Sequence, residues 1–414
     1  MINELRRYLI SSILLLLALF SVQNCFAHHG VTASKRAYLV SRIKSKYPEQ
    51  FTDPQIKNRK TFSQFGYNLY EFPVPIFPIK KFIKPDKFGH QSYGKPNRIQ
   101  EKNGALYTCR GGFIDFSHMR AAIDWTTYLT FEILADSVHV ELPWEAGTLQ
   151  LHFKNTDKLT IDDMTKMAQK IAFERLVWHE IASWHYHKPY HTVSEQSSTF
   201  TPEDTYSNML GTAIGKKVAL RILSDTTTLS YSEIATEEIQ KYIASLQPVE
   251  DIKESKRAYD IVDRNKQRKL PESERNYDVW YDSKIVFHDQ RYVFKRYTNT
   301  GPAIDPWLVP KSEQVGCNQY ASPKIIKVPK LTQSGKSFYN FYTFTITPDT
   351  AMFYDHKKNR QLHPSFRTFT TQHMGKIITQ IDTEMARVLM PDFNERDNAD
   401  PTKYYTHTHK VILK

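Results

Sequence analysis

The sequence predicts an α+β protein: a central helical core of about four helices, followed by a mixed α+β C-terminal lobe. Three observations carry this prediction. Between Tyr107 and about Leu246 the apolar residues recur with a period near 3.6, cap signals open several of those runs, and beyond Pro248 the pattern changes to short Tyr-, Phe- and Val-rich segments of strand type. The 414 residues are 40% hydrophobic and 24% charged, enough apolar material for one large or two ordinary domains, which excludes a disordered tail. With 14 Gly and 21 Pro in no short period and no internal repeat, collagen, coiled-coil and solenoid architectures are excluded as well.

Taken in chain order, Arg6 and Arg7 precede an apolar stretch from Leu9 to Val22, and Cys25-Phe26-Ala27 offers a small-residue cleavage site, so residues 1–27 read as a signal peptide. The stretch is shorter than the roughly 20 residues that span a bilayer. The expected location is therefore periplasmic or secreted, with lipid anchoring through Cys25 as the alternative. Residues 28–105 are Pro-, Lys- and aromatic-rich, centred on Phe72-Pro73-Val74-Pro75-Ile76-Phe77-Pro78, and predict extended backbone laid over a core.

The helical core is expected over residues 106–248. After a turn at Gly111-Gly112, Phe113 to Leu134 shows an apolar side at Ile114, Met119, Ala122, Ile123 and Trp125. Val138 to Leu142 and Thr148 to Phe153 alternate like a hairpin. Thr160 with Asp163 forms a capping box that opens a helix to about Tyr186, and Thr201-Pro202-Glu203-Asp204 opens a third. Glu233 to Leu246 gives a fourth. In the lobe, 249–414, charges crowd Glu250 to Arg275, strands are expected at Val279–Tyr297, Phe338–Thr347 and Tyr404–Leu413, and a helix at Met374–Leu389.

Chemistry concentrates in Trp178-His179-Glu180-Ile181-Ala182-Ser183-Trp184-His185. On a helix His179 and Ser183 share a face with Glu180 beside it, and an ionisable pair among apolar neighbours requires hydrogen-bond partners or a metal. His179-Glu180-Ile181-Ala182-Ser183 resembles the His-Glu-x-x-His motif of zinc metallopeptidases, with Ser183 where the second histidine stands. In the thermolysin-like branch a carboxylate ligand follows on a later helix, and both Glu203 and Asp204 fit that position. Asp115 and His118, one turn apart, offer the missing nitrogen. The expected zinc ligands are thus His118, His179 and either Glu203 or Asp204, with Glu180 as general base and Asp115 and Ser183 as further catalytic candidates.

Each residue also has a plainer reading. First-turn acids such as Glu203 and Asp204 suit a helix dipole, and His179 with Glu180 makes a satisfied core pair. Ser183 or Ser207 as a nucleophile lacks a Gly-x-Ser-x-Gly elbow. His28-His29-Gly30 resembles the amino-terminal histidine of copper polysaccharide monooxygenases over a few residues only.

Two blocks, Arg110-Gly111-Gly112-Phe113-Ile114-Asp115 with His118 and Asp124-Trp125, and His179 to Trp184 followed by Glu203-Asp204-Thr205-Tyr206-Ser207-Asn208-Met209-Leu210-Gly211, are together similar to a bacterial family, domain of unknown function 4056. The resemblance extends from about Tyr107 onward. It implies a bacterial envelope protein and no particular activity.

The net charge of +12 points to an anionic envelope polymer or a membrane surface as partner. Nucleic acid is not expected, because no basic patch is interleaved with aromatic residues. Cleavage after Ala27 leaves Cys109 and Cys317, which allow one disulfide in an oxidising compartment. The expected function is an exported metal-dependent hydrolase of amide bonds, or else a non-catalytic binding or structural protein with a buried His/Glu network.

Overall fold

The computed structural model describes residues 30–52, 56, 82–95, 97, 100–136, 139–144, 147–185, 202–224, 228–268, 303–304, 306, 308–309, 315–317, 321–348, 354–355, 360–361, 368–371, 373–379 and 381. The predicted signal peptide, Cys25, His28, the proline run at 72–78 and the expected strands at 279–297 and 404–413 lie outside those residues. The architecture is α+β with a helical core. Among the described residues no helix is long and apolar enough to cross a membrane.

Where extended chain was expected, the first described element is helix α1, Ala33–Lys46. Thr32 caps it by accepting from the Lys35 amide at 3.3 Å, and the one-turn spacing of Leu39 and Ile43 gives it a buried edge. A short helix α2, Pro48–Thr52, follows. Residues 82–95 do run without a helix, held by two buried charges of the next long helix. Arg120 donates to Phe88 O at 2.6 Å and Gln91 Oε1 at 2.9 Å. Asp124 accepts from Gln91 Nε2 at 2.7 Å, Gly94 N at 2.9 Å and Tyr231 OH at 2.6 Å. Charged groups survive burial there because each is met by several hydrogen bonds.

Strands β1, Ala105–Thr108, and β2, Gly112–Asp115, form an antiparallel hairpin that the sequence did not suggest. Gly112 sits at φ +65, open to glycine, while Thr108 Oγ1 accepts from Gly111 N at 3.0 Å and donates to Gly112 O at 3.1 Å. Helix α3, Phe116–Leu134, therefore begins three residues later than its apolar period implies, because Phe113 to Asp115 are spent on strand.

Strands β3, His139–Trp144, and β4, Gly147–Phe153, pair as the alternation predicts. Helix α4, Ile161–His185, starts on the expected box: Thr160 Oγ1 accepts from Asp163 N at 3.1 Å and Asp163 Oδ2 accepts from Thr160 N at 3.3 Å. Helix α5, Pro202–Leu223, carries proline at its first position. Helix α6, Tyr231–Ser245, opens on a Ser230/Glu233 capping box. The charged stretch after Pro248 turns out to contain helix α7, Ile252–Arg268, which buries Ala258, Tyr259 and Ile261.

The remaining strands are short. β5, Ala303–Ile304, pairs with β6, Ile326–Lys327, and after β7, Tyr342–Pro348, β8, Tyr354–Asp355, pairs with β9, Arg360–Gln361. With β10, Phe369–Thr370, the main sheet has the order β10-β7-β4-β3, all antiparallel. Strands beyond Pro248 thus complete a sheet begun in the core segment. Glu174 of α4 fastens that sheet to the helices, accepting from Tyr342 OH at 2.6 Å, Tyr339 OH at 2.8 Å and Lys170 Nζ at 2.6 Å. Of the helix expected over Met374–Leu389, residues 374–379 and 381 are described and helical.

Helices α3 and α5 touch backbone to backbone. A Cβ on Gly211 would stand 2.2 Å from Met119 O and 2.6 Å from Ala122 Cβ, and one on Gly215 would stand 2.7 Å from Ile123 O. This contact brings the start of α5 against His118, the neighbour of Met119. Gly211→Ala is expected to cost about 3 kcal/mol by overpacking, read as a lower urea midpoint at unchanged slope. An unchanged midpoint would show that the helices are not in that contact.

Candidate metal centre

Three segments, far apart in the chain, meet at one imidazole. Asp115 ends β2 and caps α3, its Oδ1 accepting from Ser117 N at 2.7 Å and His118 N at 3.3 Å. Its own N–H donates to Ser207 Oγ at 2.8 Å, which ties α5 to the start of α3. That bond uses one Ser207 lone pair in positioning the two helices. His118 lies in the first turn of α3 and is buried. Helix α4 brings His179 and Glu180, and α5 brings Glu203 and Asp204.

Two groups of ligand atoms form around His118. His118, His179 and Glu180 have ligand atoms within 4.8 Å of one another, and so do Asp115, His118 and Asp204. The two ring nitrogens face different carboxylates: Nδ1 stands 3.9 Å from Glu180 Oε1, and Nε2 stands 3.6 Å from Asp204 Oδ2. Both separations are too long for hydrogen bonds. They are close to the spacing of about 3.4 to 3.7 Å between two ligands bonded at about 2.1 Å to one ion. The His118 and His179 rings are 5.9 Å apart between centroids, tilted by 59°.

All these groups are buried; His179, at 6%, is the most exposed of the five. Burial holds the His118 imidazole below its ordinary pKa and the nearby Arg175 guanidinium acts the same way, against the opposing pull of the Asp115 charge and the Asn208 side chain. The ring is therefore neutral near pH 7, as a metal ligand must be. Its Nδ1 is buried with no hydrogen-bond partner.

Of the expected residues, the structure brings together Asp115, His118, His179, Glu180 and Asp204. Glu203 is fully buried beside Asp204 but belongs to neither group. Ser183 is in the last turn of α4, and its side chain lies outside the described residues. Two further neighbours were not among the expected site residues. Arg175, one turn before His179, lays its guanidinium 4.6 Å over the Trp125 ring, and Asn208, one turn after Asp204, is buried with its side chain against the His118 imidazole. Their one-turn spacing from His179 and Asp204 was the available signal.

The sequence profile of one protein family, described as "Protein of unknown function (DUF4056)", matches residues 54–296, more than half of the chain. The protein belongs to DUF4056. The match starts upstream of Tyr107, where the resemblance was expected to begin, and takes in every residue of both ligand groups. Cys317 lies beyond it, so the Cys109–Cys317 disulfide joins the DUF4056 segment to the chain that follows. No curated protein and no solved structure matches this DUF4056 chain.

Proposed function

We propose that the protein is an exported, metal-dependent hydrolase acting on an amide bond in a peptide or an anionic envelope polymer. The observation that carries the reading is the convergence of His118, His179 and Glu180 around a buried nitrogen that has no hydrogen-bond partner. Two imidazoles and one carboxylate are a donor set that suits zinc and related divalent ions, and thiolate-demanding metals have no cysteine there. A bound ion would act as a Lewis acid and make water nucleophilic near neutral pH.

The chain's own groups do the rest. His118 Nδ1 and His179 would hold such an ion from two helices. Glu180 has two oxygens, one of which could join them while the other would take a proton from water. Trp178, its ring tilted by 37° against Phe369 at 5.8 Å, and Ile181 are buried and cover the flank of α4. Export is supported by the Cys109–Cys317 disulfide, which persists in oxidising compartments, and by the signal-like first 27 residues. The net charge of +12 favours an anionic polymer or a membrane surface as the neighbour, and nucleic acid is not expected.

A second reading rests on burial. With every group of the cluster 6% exposed or less, a non-catalytic binding or structural protein with the same residues as an internal network is the competing assignment. One pair of variants separates the two. His179→Ala should lose stoichiometric zinc while keeping its circular dichroism, and Glu180→Gln should lose turnover on a hydrolase panel with Tm unchanged. A Glu180→Gln protein that shifts in Tm and equals wild type in every assay would favour the network.

A further inference from the structure

We propose that an exposed apolar face studded with lysines, built by the chain from Ile325 to Tyr339, seats the protein on the surface of an anionic phospholipid bilayer. The proposal names the partner that the functional reading left open, and it rests on the export in that reading and not on the metal. Its ground is a coincidence of exposure and charge. From Gln314 to Pro348 the sequence carries four lysines and no aspartate or glutamate. Of the four large apolar side chains exposed among the described residues, three fall inside that stretch: Ile325 at 52%, Leu331 at 52% and Tyr339 at 40%.

The backbone explains why these groups lie together. Around β6 the chain is extended and its side chains alternate: Ile326 and Val328 are buried, while Ile325, Lys327 and Leu331 are exposed. The chain then turns back. Leu331 pairs with Ser337, and Phe338 N donates to Lys330 O at 3.2 Å, which brings Tyr339 back beside Pro329 and Lys330. Lys330 and Lys336 are exposed on the two arms of this turn. The turn is fastened to α4: Gln333 N donates to Asp163 Oδ1 at 2.7 Å, and Tyr339 OH donates to Glu174 Oε1 at 2.8 Å. A face held in place loses little conformational entropy on docking. The neighbouring acids are already met by cations, Asp162 by Lys166 at 2.6 Å and Lys216 at 2.9 Å, and Glu174 by Lys170 at 2.6 Å.

This mixture fits a bilayer better than it fits other partners. Apolar side chains gain by entering the acyl boundary, tyrosine is favoured at the headgroup level, and each lysine near an anionic leaflet strengthens binding about five-fold. An anionic glycan would draw on the lysines and leave Ile325 and Leu331 in water. A second copy docked face to face would set Lys327, Lys330 and Lys336 against their own counterparts.

The test is flotation of the exported, processed protein, its disulfide intact, with vesicles of phosphatidylcholine alone or with an equal part of phosphatidylglycerol. Wild type is expected to bind the anionic vesicles, to leave them at high salt, and to bind phosphatidylcholine alone about a hundred-fold more weakly. Lys330→Glu should weaken binding about ten-fold and Leu331→Ser about five-fold, both with unchanged circular dichroism because both side chains are exposed. Lys84→Glu, at an exposed lysine outside the stretch, should cost under about two-fold. No binding by wild type overturns the proposal. Binding that Leu331→Ser leaves unchanged and a soluble polyanion displaces assigns the lysines to a glycan and overturns it too. Equal losses from Lys84→Glu and Lys330→Glu would show that net charge alone is at work, against the proposal. Self-association without vesicles that Leu331→Ser abolishes would give the face to a second copy instead. Zinc content and turnover, read on the same samples, separate the two readings: a metal-free protein that binds vesicles keeps this surface and loses the hydrolase, and an active enzyme that ignores them does the reverse.

Discussion

His118→Ala is expected to abolish divalent-ion binding, the largest functional effect of any single substitution in this protein. His118 is the residue common to both ligand groups, so its loss takes a donor from each. Structural zinc sites bind with apparent free energies of about 10 to 16 kcal/mol shared over roughly four ligands, so one ligand contributes about 3 kcal/mol and its removal weakens binding more than a hundred-fold. In thermal unfolding, zinc at a thousand times its Kd stabilises the folded wild type by about 4 kcal/mol, a rise in Tm of about 5 °C for a chain of 414 residues. The alanine protein should show no such rise while its metal-free Tm stays near that of the metal-free wild type. A zinc-dependent rise of the same size in both proteins would remove His118 from the site.

Cys317→Ser should produce the largest loss of stability. The bond from Cys109 to Cys317 closes a loop across a sequence separation of 208 residues. The chain-entropy relation for a loop of that length gives about 5 kcal/mol, an upper figure because denatured-state structure and strain reduce it. The local setting supports a substantial share of it. Cys109 lies in the β1–β2 turn, where Cys109 N donates to Gln247 O at 2.9 Å, Arg110 N to Leu246 O at 3.0 Å, and Lys324 N to Arg110 O at 2.8 Å. The disulfide therefore closes the junction of the α6 C-terminus, the hairpin and the chain near Lys324. We expect Tm to fall by about 5 °C on Cys317→Ser and by the same amount on reduction of wild type, with no further fall when the variant is reduced. Equal melting of oxidised and reduced wild type would show that the two cysteines are not joined.

What the sequence made legible was local. Thr160 and Asp163 fixed the start of α4 because a capping box is contained in four residues, and the β3–β4 alternation needed only a short window. The β1–β2 hairpin was hidden because Phe113 and Ile114 fit the period of the helix that follows them, and β2 is buried on both faces and so shows no alternation. Helices α1 and α7 were overlooked because their narrow apolar edges, Leu39 with Ile43 and Ala258 with Ile261, are diluted by lysine, arginine and glutamate. The pairing of β7 with β4 joins Tyr342 to Phe153, and nothing in either strand encodes so distant a partner.

The candidate site divides in the same way. Residue types and one-turn spacings pointed to Asp115, His118, His179, Glu180 and the acids at the start of α5. Which ring nitrogen faces which carboxylate depends on how α3 crosses α4 and α5, and that crossing is set by Gly211 and Gly215 meeting the α3 backbone. Glu203 and Asp204, adjacent in sequence, are separated only by the rotation of α5. Asn208 carries no charge and entered only as one residue of the family block, yet its buried side chain lies against His118.

The most direct measurement is anomalous X-ray diffraction at the zinc edge on crystals of the full chain grown with zinc. An anomalous peak is expected at bonding distance, about 2.1 Å, from His118 Nδ1, with His179 and Glu180 as its neighbours. A well-ordered map with no peak there, and with His118 Nδ1 hydrogen-bonded to a protein group, would contradict the metal centre.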